Sequence, residues 1–229
     1  GVMRGLVALG LFQSQDEINR SPKQTYGEVR PGDIRYKDVN ADGKIDDDDV
    51  VPIAHSNVPQ IQYGFALEYR YKRWTISALF TGAAKVNFLY GGSGFYPFSG
   101  GEVGNILSIV NDPKNRWTPA WYSGDPSTEN PNARFPRLTY GENKNNNRAS
   151  TFWLADGSYL RWKSLDISYR IGTNKALRTV GISDMNLQFV GQNLAVWDSV
   201  KLWDPGQASK NGAVYPLQRT FSLQLTATF

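Results

Sequence analysis

Cysteine is absent, which excludes a disulfide framework, a thiolate metal centre and a cysteine nucleophile. Histidine occurs once, at His55, so the chain cannot assemble a His-based triad or a multi-histidine zinc site. No stretch reaches 18 apolar residues, the least a membrane-crossing helix needs. The net charge is +4, yet Lys and Arg are scattered without a basic run. The clustered footprint of nucleic-acid binding is therefore missing. The apolar opening "GVMRGLVALGLF" has one Arg and no A-x-A-like site, so it does not read as a signal peptide.

What is present points to strands and turns. Apolar residues make up 40% and charged residues 20%, which argues for packed structure over long disorder. Five segments alternate with period two. "IQYGFALEYRY" (61–71) puts Ile61, Tyr63, Phe65, Leu67, Tyr69 and Tyr71 on one face. "WTISALFT" (74–81) does the same with Trp74, Ile76, Ala78 and Phe80. Only Lys72 and Arg73 intervene. A hairpin of either two or four turn residues pairs Tyr71 with Trp74, Leu67 with Ala78 and Phe65 with Phe80. Lys-Arg is a poor type I′ pair.

"YLRWKSLDISYRI" (159–171) alternates through Leu165, Ile167, Tyr169 and Ile171, but Arg161 and Lys163 break the phase. "MNLQFVGQNLAVW" (185–197) slips near Gly191, the expected place of a bulge. "TFSLQLTATF" (220–229) alternates throughout and ends in Phe229.

The connections are lopsided. Residues 72–73 and 172–184 are short links; 83–157 and 198–217 are long. Compact soluble domains rarely carry so long a loop. Outer-membrane barrels do, with short periplasmic turns and long external loops. If Phe229 is periplasmic, every long connection falls outside, and so does the segment before the first hairpin. Tyr69, Tyr71, Trp74, Tyr169 and Phe229 then form an aromatic girdle at the periplasmic rim. The competing architecture is a soluble β-sandwich, whose strands also alternate.

"DVNADGKIDDDD" (38–49) has the spacing of an EF-hand-type calcium loop. Asp38, Asn40 and Asp42 stand at positions 1, 3 and 5, Gly43 at the sharp turn, and Lys44 at 7, where only a backbone carbonyl binds. Ile45 packs inward, Asp46 stands at 9 and Asp49 at 12. Position 12 is Asp where Glu is usual, and neither flank reads as a long helix. A solitary loop of this kind should bind calcium at ~10⁻⁴ to 10⁻³ M and stiffen an external segment. The alternative is a solvated acidic turn without an ion.

Other candidates carry less. The acid pairs Asp156 with Asp166 and Glu102 with Asp112 have no fixed separation. His55 reads as a surface loop residue. Phe95, Tyr96, Phe98, Trp117, Trp121, Tyr122 and Trp153 lie in the long connection; they either pack it on itself or meet a sugar or a protein partner.

Several stretches together resemble one family. "GLFQSQDEI", the run from "GDIRYKDVNADGKIDDDD" to "YRYKRWTISALFTG", "NRWTP", "FPRL", "DGSYLRWKSLDISYRI", "VGQNLAVW" and "PLQRTFSLQLTATF" occur in this order from about residue 10 onward. They are similar to the C-terminal part of SusC-like TonB-dependent outer-membrane transporters of Bacteroidetes-type bacteria. The resemblance implies an all-β fold. The chain would be an antiparallel transmembrane β-barrel segment, about five C-terminal strands of a roughly 22-stranded barrel with long extracellular loops. On this reading 12–59 is an extracellular loop holding the calcium-type segment, 60–82 a hairpin, 83–157 a second extracellular loop, and 158–229 the last three strands.

The resemblance further implies uptake of a bulky glycan or oligopeptide and no enzymatic activity. It implies a SusD-like surface lipoprotein as lid, and TonB–ExbB–ExbD acting through a plug that this sequence does not include. Phe229 resembles the terminal aromatic read during outer-membrane barrel assembly. Gln62, Glu68, Arg70, Asp166, Arg170, Gln188 and Gln224 would face the lumen. Five strands cannot close a barrel, so the chain is expected to be a fragment or one piece of a split barrel, and insoluble alone. The alternative function is a soluble calcium-stabilised β-sandwich carbohydrate-binding module.

Overall fold

The computed structural model describes residues 1–101 and 104–229; Glu102 of the nominated acid pair lies outside them. The chain divides into two compact units. One comprises 1–56, 87–155 and 209–213; the other comprises 57–86, 156–208 and 214–229.

The first unit is built from short pieces. β1 (Val2–Gly5) pairs antiparallel with β6 (Val51–His55), and β2 (Ala8–Leu11) with β4 (Ile34–Tyr36). β3 (Lys23–Gln24) runs parallel to β5 (Lys44–Ile45), and β9 (Asn87–Leu89) adjoins β10 (Leu154–Asp156). His55 thus ends a strand. The apolar opening of the chain forms β1 and β2. A core of buried rings, including Phe12, Phe88, Phe95, Phe135 and Trp153, holds these pieces together. Phe95 stacks on Tyr90 at 4.9 Å and meets Trp153 edge-on at 5.6 Å. The segments 12–59 and 83–157, separate loops in the sequence reading, therefore contribute to one packed body.

Polar side chains fasten that body from within. Asp33 is fully buried and pairs with Arg137 at 2.9 Å. Asn143 and Asn146 donate to the same carboxylate at 3.2 and 2.8 Å. Gln24 donates to the Ile34 carbonyl and to Asn145, and accepts from the Tyr36 N–H. Tyr36 donates to the Asn145 carbonyl, and burial raises its phenol well above the ordinary value. A buried carboxylate is tolerated only with such satisfaction. The run "NKNNN" (143–147), which carries no sequence motif, supplies two of the donors to Asp33 and the Asn145 acceptors of Gln24 and Tyr36.

The second unit is one five-stranded antiparallel sheet in the order β13-β12-β11-β8-β7. Its strands are β7 (Ile61–Tyr71), β8 (Trp74–Ala84), β11 (Tyr159–Arg170), β12 (Asp184–Asp198) and β13 (Thr220–Thr228). Phe65 faces Phe80, Leu67 faces Ala78 and Tyr71 faces Trp74, the register that the alternation predicts. The hairpin turn has two residues, with Lys72 in the left-handed region at φ 54°. Arg73 anchors it by donating to the Ile171 carbonyl at 2.9 Å. The link to β12 holds a short helix (Lys175–Thr179), capped by Asn174.

The broken phase of β11 has a physical cause. The register of β11 shifts between Trp162 and Ser164 against both neighbours, leaving Lys163 as an inserted residue. One extra residue flips the side-chain face. Trp162 thereby joins the apolar side, opposite Phe80, and Arg161 moves to the polar side, opposite Thr81. On β12 the matching irregularity falls at 193–194, where Asn193 has φ 52°. The expected bulge is thus real, but it sits past Gly191.

Candidate functional site

The sheet has two chemically distinct faces. On one, Phe65, Leu67, Tyr69, Tyr71, Ile76, Phe221, Leu223, Leu225 and Phe229 are all exposed, Leu223 at 72%. Among the described residues of this unit no second sheet covers them. A β-sandwich requires those side chains to interlock across about 10 Å with a facing layer, which this unit does not supply. So large a contiguous apolar surface belongs against lipid or another protein, not water.

Rings cluster near the short-turn end of this face. Trp74 and Tyr169 lie 4.6 Å apart, and Tyr71 stands opposite Trp74. Further along, Phe65 stacks on Phe80 at 5.0 Å and Phe80 on Trp162 at 5.8 Å. Beyond them the Tyr63 ring crosses Gly82 and donates to the Tyr159 carbonyl at 3.0 Å. A Cβ at residue 82 would come within 2.3 Å of that ring, so the crossing requires glycine.

The opposite face is polar and balances its own charge. Glu68 pairs with Arg70 at 2.7 Å, and Arg170 with Asp184 at 3.2 Å. Asp166 accepts from Gln188 and from Ser168. Gln62 lines a cavity with Tyr159 and Pro205, and Gln224 bonds Thr226. Sequence reasoning missed the strongest contact on this side. Arg161 forms a two-oxygen bond to Asp204 at 2.6 and 2.7 Å, with both side chains nearly buried. It fastens the β12–β13 connection to β11. The out-of-phase arginine was the available signal.

The acidic loop is ordered by its own side chains. Asp38 accepts from the N–H groups of Ala41 and Gly43 at 2.6 and 2.8 Å. Asn40 accepts from Asp42, and Asp42 from the Lys44 N–H. Asp49 is fully buried and closes the loop, accepting from Val39 at 2.7 Å and from Asp46 at 3.0 Å. Gly43 takes φ 86°, and Ile45 is buried, as the spacing predicts.

Lys44 differs from its expected part. Its ammonium lies 2.5 Å from Asp46 and 3.4 Å from Asp42, within the acidic group. The Lys44 backbone N–H does most to hold the Asp42 carboxyl below its ordinary range. The ammonium does the same for Asp46, and Asp46 in turn raises Lys44. Among the described residues no three acidic or histidine side chains are grouped to hold a metal ion. Asp47 points away, to Arg148 and to the Tyr26 hydroxyl. Arg148 covers the Tyr26 ring at 3.9 Å, and burial is the main cause that pushes the Tyr26 phenol up to about 12.

The loop aromatics divide. Phe95, Trp117 and Trp153 are buried and pack the unit on itself, whereas Trp121 and Tyr122 are exposed.

No family model matches the chain. Two proteins of Formosa agariphila are similar to it. TonB-dependent receptor P26 is 28% identical over 240 residues, covering all of this chain and 22% of that protein. TonB-dependent receptor P3 is 24% identical over 217 residues, covering 89% and 20%. Among solved structures, the RagAB peptide importer in its open-open state matches all of this chain and 22% of its own. The TM-score is 0.66 and the identity 18%.

The resemblance to SusC-like TonB-dependent transporters is borne out. Its location is the Gram-negative outer membrane. The chain spans about a fifth of the TonB-dependent receptors it matches. The RagAB match, at 18% identity, supports the fold of this chain and no more.

Proposed function

We propose that this segment is barrel wall in a TonB-dependent transporter that imports a bulky nutrient, a glycan or an oligopeptide. Its sheet supplies five of roughly 22 strands. The apolar face meets lipid, the polar face lines the lumen, residues 12–59 and 83–157 are extracellular, and a SusD-like lipoprotein serves as lid. TonB acts through a plug elsewhere in the protein. Phe229, exposed at the end of the apolar face, serves the assembly machinery. The observation that carries this reading is the uncovered apolar face on a regular, strongly paired sheet. The test places Cys at residue 65 or residue 68 of the full transporter, with any other cysteine replaced, labels it with bimane and adds nitroxide-bearing lipid. Quenching at Phe65→Cys but not at Glu68→Cys is expected. Equal quenching, or none at residue 65, rejects the wall assignment.

Calcium at Asp38, Asn40, Asp42, the Lys44 carbonyl, Asp46 and Asp49 is part of the proposal. The donor chemistry fits a hard cation, and Lys44 is the internal competitor. Calcium should raise protease resistance of residues 38–49 in the wild type, more steeply in Lys44→Met, and not at all in Asp38→Ala with Asp42→Ala. Equal protection in all three would end the calcium assignment.

A further inference from the structure

Two motifs of the long connection meet in space. The Trp117 N–H donates to the Phe135 carbonyl at 2.9 Å and the Phe135 N–H to Asn115 at 3.0 Å, joining "NRWTP" to "FPRL". The Arg137 N–H donates to the Gly32 carbonyl at 2.9 Å and brings in "RPGD". With the short helix Ala120–Ser123, they enclose a cavity of about 460 Å³, wholly within the first unit. That volume suits a small ligand.

Its lining is one-sided. Three cations contribute: Arg30, Arg116 and Arg137. Arg30 is paired with Glu28 and Arg137 with Asp33. Arg116 is only 8% exposed, and among the described residues no carboxylate pairs with it. Its Nη1 donates to the carbonyls of Val110 and Asn111 at 2.5 and 2.9 Å. A guanidinium has five N–H donors in a planar fork, so three remain for an acceptor. A guanidinium with free donors and no paired carboxylate favours binding an anion. Trp121 (84% exposed) and Tyr122 (68%) line the same cavity. Two neighbouring rings so exposed are a site for an apolar body to cover.

We propose that this cavity binds an aromatic carboxylate, of the kind a peptide ending in Phe presents. The carboxylate meets the Arg116 fork and the ring covers Trp121 and Tyr122. The proposal is independent of the barrel reading, because the cavity is formed within one compact unit. The test titrates the purified full transporter in detergent with N-acetyl-L-phenylalanine, its amide and N-acetylglycine, followed by calorimetry. The acid should bind about tenfold more tightly than the amide, since the amide cannot supply the charge that the fork takes. N-acetylglycine should not bind. Trp121→Ala, a change at an exposed ring, should weaken the acid about fivefold. Arg116→Lys should remove most of the preference for acid over amide. The proposal is overturned by equal affinity for acid and amide, by indifference to Trp121→Ala, or by no binding of the acid at millimolar concentration. Heat-modifiable gel mobility in the same samples separates any such failure from failure of the barrel reading.

Discussion

Single side chains decide how the sheet's outer end is held. Tyr63 lies flat across Gly82 and ends on the Tyr159 carbonyl. Gly82→Val should displace the ring and destabilise the folded protein by about 1–3 kcal/mol. Urea unfolding in detergent, followed by gel mobility, would show it as a lowered midpoint. Arg161 and Asp204 are nearly desolvated, at 7% and 13% side-chain exposure. Asp204→Asn leaves the guanidinium without its counter-charge, a loss on the order of 3–5 kcal/mol for a buried pair. Early proteolysis within 199–219 is the expected readout.

The acidic loop titrates at both ends of the pH scale. Asp42 and Asp46 have depressed carboxyl pKa values, so their contribution is present above the ordinary value of 3.8 and is lost as pH falls below it. Lys44 is raised, so its contribution is full below 10.5 and is lost only at more alkaline pH. Rate-corrected hydrogen exchange at Lys44, whose N–H donates to Asp42, and at Asp48, whose N–H donates to Asp46, should therefore be flat through neutral pH and rise in acid. A rise beginning near neutrality would contradict these pairings.

At the scale of elements, the bulge at Lys163 is what lets one strand keep two faces. Were Lys163 to alternate as a regular strand residue, Arg161 would stand on the side of Phe80 and Leu165. Deleting Lys163 removes the extra residue without changing the faces: Trp162 then adjoins Ser164 directly, still opposite Phe80, and Arg161 stays opposite Thr81. The deletion variant should therefore still assemble. Arg161→Trp with Trp162→Arg should not, because an Arg on a lipid-facing surface costs about 2–4 kcal/mol near the bilayer midplane and the Asp204 bond is lost besides. Outer-membrane yield of the two variants, read by heat-modifiable mobility, checks both outcomes.

For the whole molecule, an open sheet with bare edges at β7 and β13 demands partners. Backbone N–H and C=O groups at a sheet edge cannot be left unsatisfied in lipid. Leu223→Arg on the apolar face should lower the assembled amount sharply, whereas Gln224→Arg on the polar face should leave it near wild type. Comparable losses at both positions would mean that neither face meets lipid.

Alternation in the sequence was enough to point to the five long strands, to the facing pairs of the first hairpin and to the two faces wherever the phase is unbroken, because a strand's period of two is a local property of the backbone. The order of motifs was enough to point to the family. The rest was decided by tertiary structure. Where Arg161 points depends on an inserted residue that pairing alone reveals. Asp33, Asn143, Asn145, Asn146 and Gln24 form one buried network although they lie more than a hundred positions apart. Lys44 sits between two carboxylates because its long side chain curls back, which spacing does not encode. Long-range polar packing depends on how distant segments are folded together, and no local period records it.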